Sequence, residues 1–196
     1  MHKAKMWLGI VAVMLLGFGA RAEKQAPGFE LPDVQGKTYK LADNLGKIVV
    51  LEWTNYDCPF VKKFYTAGAM QELQREAVAR GVVWLSICSS APGKQGHFER
   101  DEWLRRMQSA KVAVPVLLDP DGKVGRAYGA KTTPHMFVID AEGRLVYQGG
   151  IDDQPSARAQ SLEGARNYVR EALQALWDGQ PVPLAEAKPY GCSVKY

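Results

Sequence analysis

The stretch that decides the fold is Ile48-Val49-Val50-Leu51-Glu52-Trp53-Thr54-Asn55-Tyr56-Asp57-Cys58-Pro59-Phe60-Val61-Lys62-Lys63. Its first half is apolar and β-branched, which is typical of a buried strand, and its second half predicts an amphipathic helix. Cys58 lies at the junction, and Pro59 suits the first helical position because no backbone N–H is needed there. A thiolate at a helix N-terminus is stabilised by unpaired N–H groups and the helix dipole, so its pKa falls below the free value of ~8.5. We therefore interpret Cys58 as the candidate nucleophile, against the alternative of a small buried apolar residue.

Outward from this junction, apolar runs bounded by turn residues alternate with helical patterns. Runs that predict strands cover residues 48–53, 82–88, 114–118, 136–140 and 144–147. Patterns that predict helices cover residues 60–80, 97–110, 124–128 and 162–177. This order predicts an α/β fold with a mixed central sheet flanked by helices, followed by an extended C-terminal tail.

The chain divides into three parts by composition. Residues 1–22 read as a signal peptide, with Lys3 and Lys5 first, an apolar stretch over residues 6–19, and a small-x-small cleavage site at residues 20–22. The apolar stretch is shorter than the ~20 residues of a bilayer crossing, so we expect export without stable membrane insertion, although an uncleaved anchor stays open. Residues 23–180 are the predicted domain, and residues 181–196 are the tail that carries Cys192.

Charge excludes one class of partner. Three of the 25 Lys and Arg residues and none of the 21 Asp and Glu residues lie in residues 1–22, so the remainder carries a net charge of about +1. No basic stripe interleaved with aromatic residues occurs in the sequence. We therefore expect no nucleic-acid binding.

The three cysteines, Cys58, Cys88 and Cys192, all follow the predicted signal peptide. Export implies a compartment in which disulfides persist, and an odd number leaves at least one thiol unpaired within the chain. Cys88 ends a predicted buried strand, so we expect a packed and inert thiol there. The sequence alone leaves all three pairings open.

Several motifs resemble those of thioredoxin-fold proteins. A cysteine opens the first core helix, and Thr133-Pro134 precedes a late strand. The segments around residues 26–37 and 41–47 resemble the redoxin (AhpC/TSA-like) branch, and those at residues 58–62, 150–153 and 191–195 resemble a peroxiredoxin-like subgroup. The resemblance covers residues 26–196 and implies a thioredoxin-like fold, thiol chemistry and, with the signal, location in the bacterial periplasm.

The resemblance also shows two departures from its parent families. Thioredoxins carry a second cysteine three residues after the first, but Val61 occupies that position here. Peroxiredoxins carry a hydroxyl residue three positions before the cysteine and an arginine before the late strand, where this chain has Asn55 and Pro134. Pro134 matches instead the cis-proline of thioredoxins, so we predict a cis Thr133–Pro134 bond beside the reactive sulfur, which would leave the backbone of Thr133 free to pair with a peptide.

The leading hypothesis is a thiol-disulfide oxidoreductase that acts on a protein dithiol or disulfide. Cys58 would attack the disulfide and Cys192 would close the cycle, because residues 179–192 can span up to ~45 Å when extended. Lys62 and His135 would add positive charge near the sulfur, and Glu52, a charged residue within the central strand, would accept a proton. The predicted supporting residues are therefore Thr133, Lys62, His135 and Glu52.

Three alternatives stay open from the sequence. The first is a thiol peroxidase, an antioxidant that reduces a small peroxide through a sulfenic acid on Cys58. The second is a non-catalytic copper(I) site formed by Cys58, Cys192 and His135. The third is a Cys58–Cys192 disulfide that only fixes the tail to the domain, with a stabilisation of ~4 to 5 kcal/mol. The leading hypothesis requires no cofactor and no resident metal.

Overall fold

The central feature of the structure, a computed structural model that describes residues 24–196, is a five-stranded sheet. The signal peptide predicted for residues 1–22 lies outside the described residues. The elements, in chain order, are β1 (Glu30–Pro32), β2 (Thr38–Lys40), a 3₁₀ turn (Leu41–Asn44), β3 (Val49–Trp53), α1 (Pro59–Thr66), α2 (Ala69–Ala79), β4 (Val83–Cys88), α3 (Arg100–Ser109), β5 (Val116–Leu118), α4 (Lys123–Tyr128), β6 (Thr132–Thr133), β7 (His135–Ile139), β8 (Leu145–Gly149), a second 3₁₀ turn (Ala159–Leu162), α5 (Tyr168–Trp177) and β9 (Cys192–Ser193).

The strand order is β5-β4-β3-β7-β8, with β3, β4 and β5 parallel and β7 and β8 antiparallel to their neighbours. Strands β1 and β2 form a separate antiparallel pair, and so do β6 and β9. The mixed sheet flanked by helices confirms the predicted thioredoxin-like α/β architecture. Its central strand is β3, which leads directly into the loop before Cys58.

Alternation along β3 divides the core between the two faces of the sheet. Val50 packs with residues of α1, α2, α3 and α5, whereas Val49, Leu51 and Trp53 pack with the β1–β2 pair and α4. Large side chains are fully buried on both faces, and each contributes on the order of 2 kcal/mol by leaving water. The charged residue of the strand, Glu52, lies on the same face as Val50, towards α1 and α2, where its hydrogen-bond partners are found.

Two predicted helices differ from the observed ones. The helix expected over residues 60–80 is broken into α1 and α2 at Gly68, whose φ of 76° is left-handed. The helix expected over residues 162–177 begins only at Tyr168, where the Asn167 side chain accepts a hydrogen bond from the Arg170 N–H as an N-cap. In both places the hydrophobic pattern extends across a turn, and the start of the helix is set by a local residue, Gly68 or Asn167.

Within residues 24–196, none of the helices has both the length and the apolar character to cross a lipid bilayer. After α5 the chain continues over residues 180–196 without a further helix, and its last strand, β9, pairs with β6. The predicted tail is therefore ordered and packed against the domain.

Candidate active site

Cys58 is placed by the transition from β3 to α1. It is the N-cap residue of α1, with Pro59 in the first turn, and its backbone N–H donates to Asn55 O at 2.9 Å. The N–H groups of Val61 and Lys62 point back to the Cys58 carbonyl at 3.1 and 2.9 Å. The predicted position of the cysteine at the start of a helix is confirmed. Its side chain, however, has no exposed surface.

Cys192 covers this sulfur. The Sγ atoms of Cys58 and Cys192 are 2.7 Å apart, against ~2.05 Å for an S–S bond, and both residues are free thiols in this structure. Cys192 is partly exposed, and Cys58 is buried beneath it. Of the three pairings that the sequence left open, the described fold brings together only this one, because Cys88 is buried separately with its Sγ 3.4 Å from Gly96 O. The expectation of a packed Cys88 thiol is confirmed.

The segment before Pro134 completes the sulfur environment. The Thr133–Pro134 peptide bond is cis, as predicted, and the Cys58 thiol donates to the Thr133 carbonyl over 3.1 Å. Strand β6, which ends at Thr133, pairs antiparallel with β9, so that Thr133 lies opposite Cys192. The backbone edge that we expected to be free for an incoming peptide is therefore occupied by the tail of this chain.

The two thiols have opposite acid–base tendencies. Burial raises the pKa of Cys58, but hydrogen bonds from the Cys192 thiol and from backbone N–H groups act against it, and the pKa falls below the ordinary 9.0. Burial and the neighbouring Cys58 raise the pKa of Cys192 to about 11, although Lys195 acts against this. The pair therefore favours a thiolate on Cys58 with the proton retained on Cys192.

Residues 185–196, the C-terminal strap, hold Cys192 in place from both sides. Gly191 permits the close approach, because a Cβ there would collide with the Thr133 carbonyl and its φ of 133° disfavours other residues. Hydrogen bonds along the strap link Gln148 N–H to Ala185 O (3.0 Å), Ala187 N–H to Gln148 O (3.1 Å), Val194 N–H to Lys131 O (3.0 Å), Ala91 N–H to Lys195 O (2.8 Å) and the Tyr196 hydroxyl to Ala130 O (2.8 Å).

A buried ion pair fixes the strap beside α1. Lys63 Nζ lies 3.6 Å from Asp152 Oδ2, and their side chains are 0% and 2% exposed. The Tyr190 hydroxyl, two residues before Cys192 in the chain, donates to Asp152 Oδ1 and accepts from Lys63 Nζ at 3.3 Å. Burial lowers the pKa of Lys63, partly offset by Asp152. The Tyr190 ring also packs edge-on against Phe60, the second residue of α1.

Sequence reasoning missed this cluster of Lys63, Asp152 and Tyr190. The signal was the position of Lys63, three residues after Phe60 and next to Phe64, on the apolar side of the helix. A lysine is almost never buried without a partner, so such a position indicates an ion pair in the core. Asp152 lies in the loop after β8, and its side chain is buried and accepts a hydrogen bond from the Gln154 N–H at 2.9 Å.

Two predicted sources of positive charge do not act as expected. Lys62 is exposed on α1, and its only contribution at Cys58 is its backbone N–H. His135 is buried, its Nδ1 accepts from the Lys131 N–H at 3.2 Å, and burial lowers its pKa to about 4. The imidazole is therefore neutral at pH 7, which corrects the expectation that it supplies positive charge to the sulfur.

Glu52 is fully buried and accepts hydrogen bonds from neutral donors only. Burial raises its pKa, although the hydrogen bonds act in the opposite direction. The donors are Tyr65 Oη (2.9 Å), Gln74 Nε2 (3.1 Å), Trp84 Nε1 (3.1 Å) and Ser86 Oγ (3.1 Å). All four donors come from α1, α2 and β4, so the carboxyl group connects these elements beneath the active-site helix.

The copper(I) alternative required Cys58, Cys192 and His135 to converge. Among residues 24–196, no group of three or more His, Cys, Asp or Glu side chains is arranged to hold a metal ion. The His135 nitrogen that faces the backbone of Lys131 is already an acceptor. The geometry therefore favours sulfur–sulfur chemistry over metal binding at this site.

Comparisons with known proteins agree with this geometry. A family model described as the AhpC/TSA family matches residues 22–148. The thiol-disulfide oxidoreductase ResA of Bacillus subtilis is 32% identical over 123 residues, which are 62% of this chain and 63% of ResA. The thiol:disulfide interchange protein DsbE of Allochromatium vinosum is 30% identical over 138 residues, which are 67% of this chain and 69% of DsbE.

A solved structure extends the likeness to most of the chain. A conserved protein from Geobacillus kaustophilus superimposes with a TM-score of 0.75 at 28% identity, covering 89% of this chain and 91% of that protein. The alignment with ResA spans less than two thirds of the length of that relative. The family model ends at residue 148, so it includes Cys58 and Pro134 but not Cys192.

Proposed function

This chain belongs to the AhpC/TSA family, and from that premise we propose that it is a thiol-disulfide oxidoreductase with Cys58 as nucleophile and Cys192 as resolving thiol. The observation that carries the proposal is the pair of sulfur atoms 2.7 Å apart beside the cis Thr133–Pro134 bond. The relatives named ResA and DsbE support it, since their names describe thiol-disulfide chemistry.

The reaction follows from the two thiol environments. The Cys58 thiolate attacks one sulfur of a substrate disulfide, an S–S bond forms, and the other substrate sulfur leaves as a thiolate. Cys192 loses its proton to that leaving group and attacks Cys58 Sγ, which releases the second substrate thiol. The protein is left with a Cys58–Cys192 disulfide, and the substrate has gained two electrons.

The partner is proposed to be a protein dithiol or disulfide, and the compartment is proposed to be the bacterial periplasm. Export is supported by the signal-like pattern of residues 1–22. Pro134 and Thr133 are the proposed docking elements beside the sulfur, once the strap leaves β6. Glu52 is proposed to hold α1, α2 and β4 together beneath the site through its hydrogen bonds.

A small peroxide is the second candidate substrate. The complete burial of Cys58 under the strap favours a compact oxidant, which needs less space than a polypeptide. Asn55 stands at the position where peroxiredoxins carry a hydroxyl group, which argues against peroxide reduction. Its side chain is engaged in the loop, since it donates to Gln95 O at 3.3 Å and accepts from the Asp57 N–H at 2.9 Å. Pro134 likewise replaces the arginine of that family. We therefore place peroxide reduction behind disulfide exchange.

One experiment separates these functions. Oxidised protein is mapped for disulfides by mass spectrometry, and turnover of a protein disulfide and of hydrogen peroxide is measured with a dithiol reductant. We expect a Cys58–Cys192 bond and disulfide turnover that Cys58→Ser abolishes. Cys192→Ser should accumulate a mixed disulfide on Cys58, whereas Cys88→Ser, the matched control, should retain activity.

The outcomes discriminate among the proposals. Peroxide turnover that far exceeds disulfide turnover would promote the second candidate. A Cys58–Cys192 bond without either activity, and with a reduction potential below about −300 mV, would leave only the structural disulfide. Loss of activity in Cys88→Ser, with Cys58→Ser still active, would place the nucleophile elsewhere.

A further inference from the structure

The last part of the strap, residues 192–196, binds the body of the protein in the manner of an extended peptide. Its backbone pairs with β6, which places Cys192 opposite Thr133. The pairing continues beyond β9, since the Val194 N–H donates to Lys131 O at 3.0 Å. This segment therefore shows how a polypeptide fits the edge of β6.

Alternate side chains of this segment face the body. Cys192 covers the proposed nucleophile, Val194 packs against the core on the face of the sheet that carries α4, and Tyr196 lies against α4 itself. The side chains between them are turned away, where Lys195 Nζ donates to Ser193 Oγ at 3.2 Å. In recognition by strand addition, backbone pairing gives affinity and pockets for alternate side chains give specificity. The place of Tyr196 is such a pocket.

The pocket, here called the aromatic slot, is formed by Gly122, Gly125, Arg126 and Ala130. The two glycines make its floor, because a Cβ on either one would collide with Tyr196. The Arg126 guanidinium lies over the ring, 4.4 Å from its centroid. The Tyr196 hydroxyl donates to Ala130 O at 2.8 Å. A flat floor, a cation above it and a carbonyl at its end together complement a phenol ring.

The hydroxyl end of the slot distinguishes tyrosine from other apolar residues. Burial and the nearby Asp119 raise the pKa of Tyr196 to about 12, although Arg126 acts against this. The hydroxyl therefore keeps its proton at neutral pH and donates it to the carbonyl of the buried Ala130. A phenylalanine ring keeps the contact with the cation but loses this hydrogen bond, and a leucine side chain loses both.

From these contacts we propose that the aromatic slot is a specificity site for the substrate polypeptide, and that it takes an aromatic residue, tyrosine before phenylalanine, four positions after the substrate cysteine. The inference rests on the proposed function, because the substrate must present a disulfide to Cys58. The substrate occupies β6 in place of residues 192–196. The strap and the substrate thus compete for one groove, so the return of Cys192 to Cys58 displaces the reduced substrate.

The test measures how fast the reduced protein reacts with peptides that copy residues 191–196, Gly-Cys-Ser-Val-Lys-Tyr. Their ends are blocked, their cysteine is a mixed disulfide with thionitrobenzoate, and their last residue is Tyr, Phe, Leu or Ala. Release of thionitrobenzoate gives the second-order rate constant. We expect the tyrosine peptide to react about tenfold faster than the alanine peptide, because one aromatic ring is buried beneath a cation. The phenylalanine peptide should lie between them.

Two outcomes separate the inference from the proposed function. Equal rate constants for the four peptides would overturn the inference and leave disulfide exchange standing. Failure of every peptide to react, or an undiminished reaction in Cys58→Ser, would overturn the proposed function instead.

Gly125→Ala tests the floor of the slot. Gly125 lies within α4, and its φ is outside the left-handed region, so alanine fits the backbone and only the slot is narrowed. We expect this variant to lose the preference for tyrosine over alanine. Gly28→Ala, the matched control, has a Cβ that meets nothing within 4 Å and should keep the preference. The ratio of the two rate constants is compared because easier opening of the strap accelerates both peptides equally.

Arg126→Gln decides the case in which Gly125→Ala does not fold, as judged by denaturant unfolding. Arg126 is exposed, and its loss should reduce the preference for tyrosine about two- to fivefold, as expected for one cation–π contact. An unchanged preference in folded Gly125→Ala, or in Arg126→Gln where Gly125→Ala is unfolded, would overturn the inference.

Discussion

The two cysteines of the site are held by different kinds of structure. Cys58 is fixed by the central strand β3 and the start of α1, which belong to the core. Cys192 is carried by the C-terminal strap, which contains only the two-residue strand β9 and contacts the body through separate anchors. The comparison teaches that the core fixes the position of the proposed nucleophile, whereas a segment outside the core covers it.

The largest effect is expected at the buried ion pair that joins the two regions. Lys63→Met leaves Asp152 buried without its cation, so we expect the free energy of unfolding to fall by about 3 to 5 kcal/mol. The adjacent Lys62 is exposed, and Lys62→Met should change it by no more than about 0.5 kcal/mol. Denaturant unfolding measures both variants.

The same pair of variants tests whether the ion pair also controls access. Because the Tyr190 hydroxyl is hydrogen-bonded to Lys63 and Asp152, Lys63→Met should loosen the strap. The alkylation rate of Cys58 in the folded, reduced protein should then rise. Lys62→Met should leave that rate unchanged. Equal stabilities and equal alkylation rates in the two variants would show that the body and the strap are not coupled through Lys63.

A smaller effect is expected at His135, which belongs to the core side of the comparison. Its pKa is lowered to about 4 in the folded protein, against the ordinary 6.5, so the unfolded state binds the proton first as the pH falls. The free energy of unfolding therefore keeps its full value above pH ~6.5 and falls as the pH drops towards ~4. The loss from His135 is roughly 2 to 3 kcal/mol at pH 4.5.

The measurement compares wild type with His135→Asn, whose side-chain oxygen can replace Nδ1 as the acceptor for the Lys131 N–H. Unfolding free energies at pH 7.5 give the baseline, since the histidine is mainly neutral in both the folded and the unfolded protein at that pH. Between pH 7.5 and 4.5 the variant should lose less stability than wild type. The same slope in both proteins would mean that the buried imidazole does not resist protonation.

The core half of the site could be predicted from the sequence because its determinants are local. The apolar run of β3, the proline after Cys58 and the glycine-bounded turns fix the strand, the helix start and the order of the elements. The cis Thr133–Pro134 bond followed from a resemblance and is confirmed. The break at Gly68 was missed because a helical period does not show whether a glycine interrupts the helix or only weakens it.

The strap half could be predicted only in part, since its contacts join residues far apart in the chain. The sequence placed Cys192 on a tail long enough to reach Cys58, but it could not show that the tail pairs with β6. Nor could it identify the partner of Lys63, because that partner, Asp152, lies 89 residues away in the chain. His135 was misjudged because burial, which sets its protonation, depends on tertiary packing.

The smallest effect is expected at Gly191, where the strap approaches the body most closely. Gly191→Ala adds a Cβ against the Thr133 carbonyl, so Cys192 should shift from its place above Cys58. Misplacement of a reacting group by about 1 Å can reduce a rate up to ~100-fold, and we expect disulfide formation to slow on the order of tenfold. The rate is followed as loss of free thiols after addition of an oxidant that converts dithiols to disulfides.

Gly164→Ala is the matched control for that variant. Gly164 also has a positive φ, at 69°, but nothing lies within 4 Å of the added Cβ. Both variants therefore carry backbone strain, and only Gly191→Ala adds a collision with the active-site segment. If the two variants form the Cys58–Cys192 disulfide equally fast, close contact between strap and body is not what aligns the sulfurs. In that case Cys192 reaches Cys58 by diffusion of a tethered chain, and the Tyr190 anchor acts on stability alone.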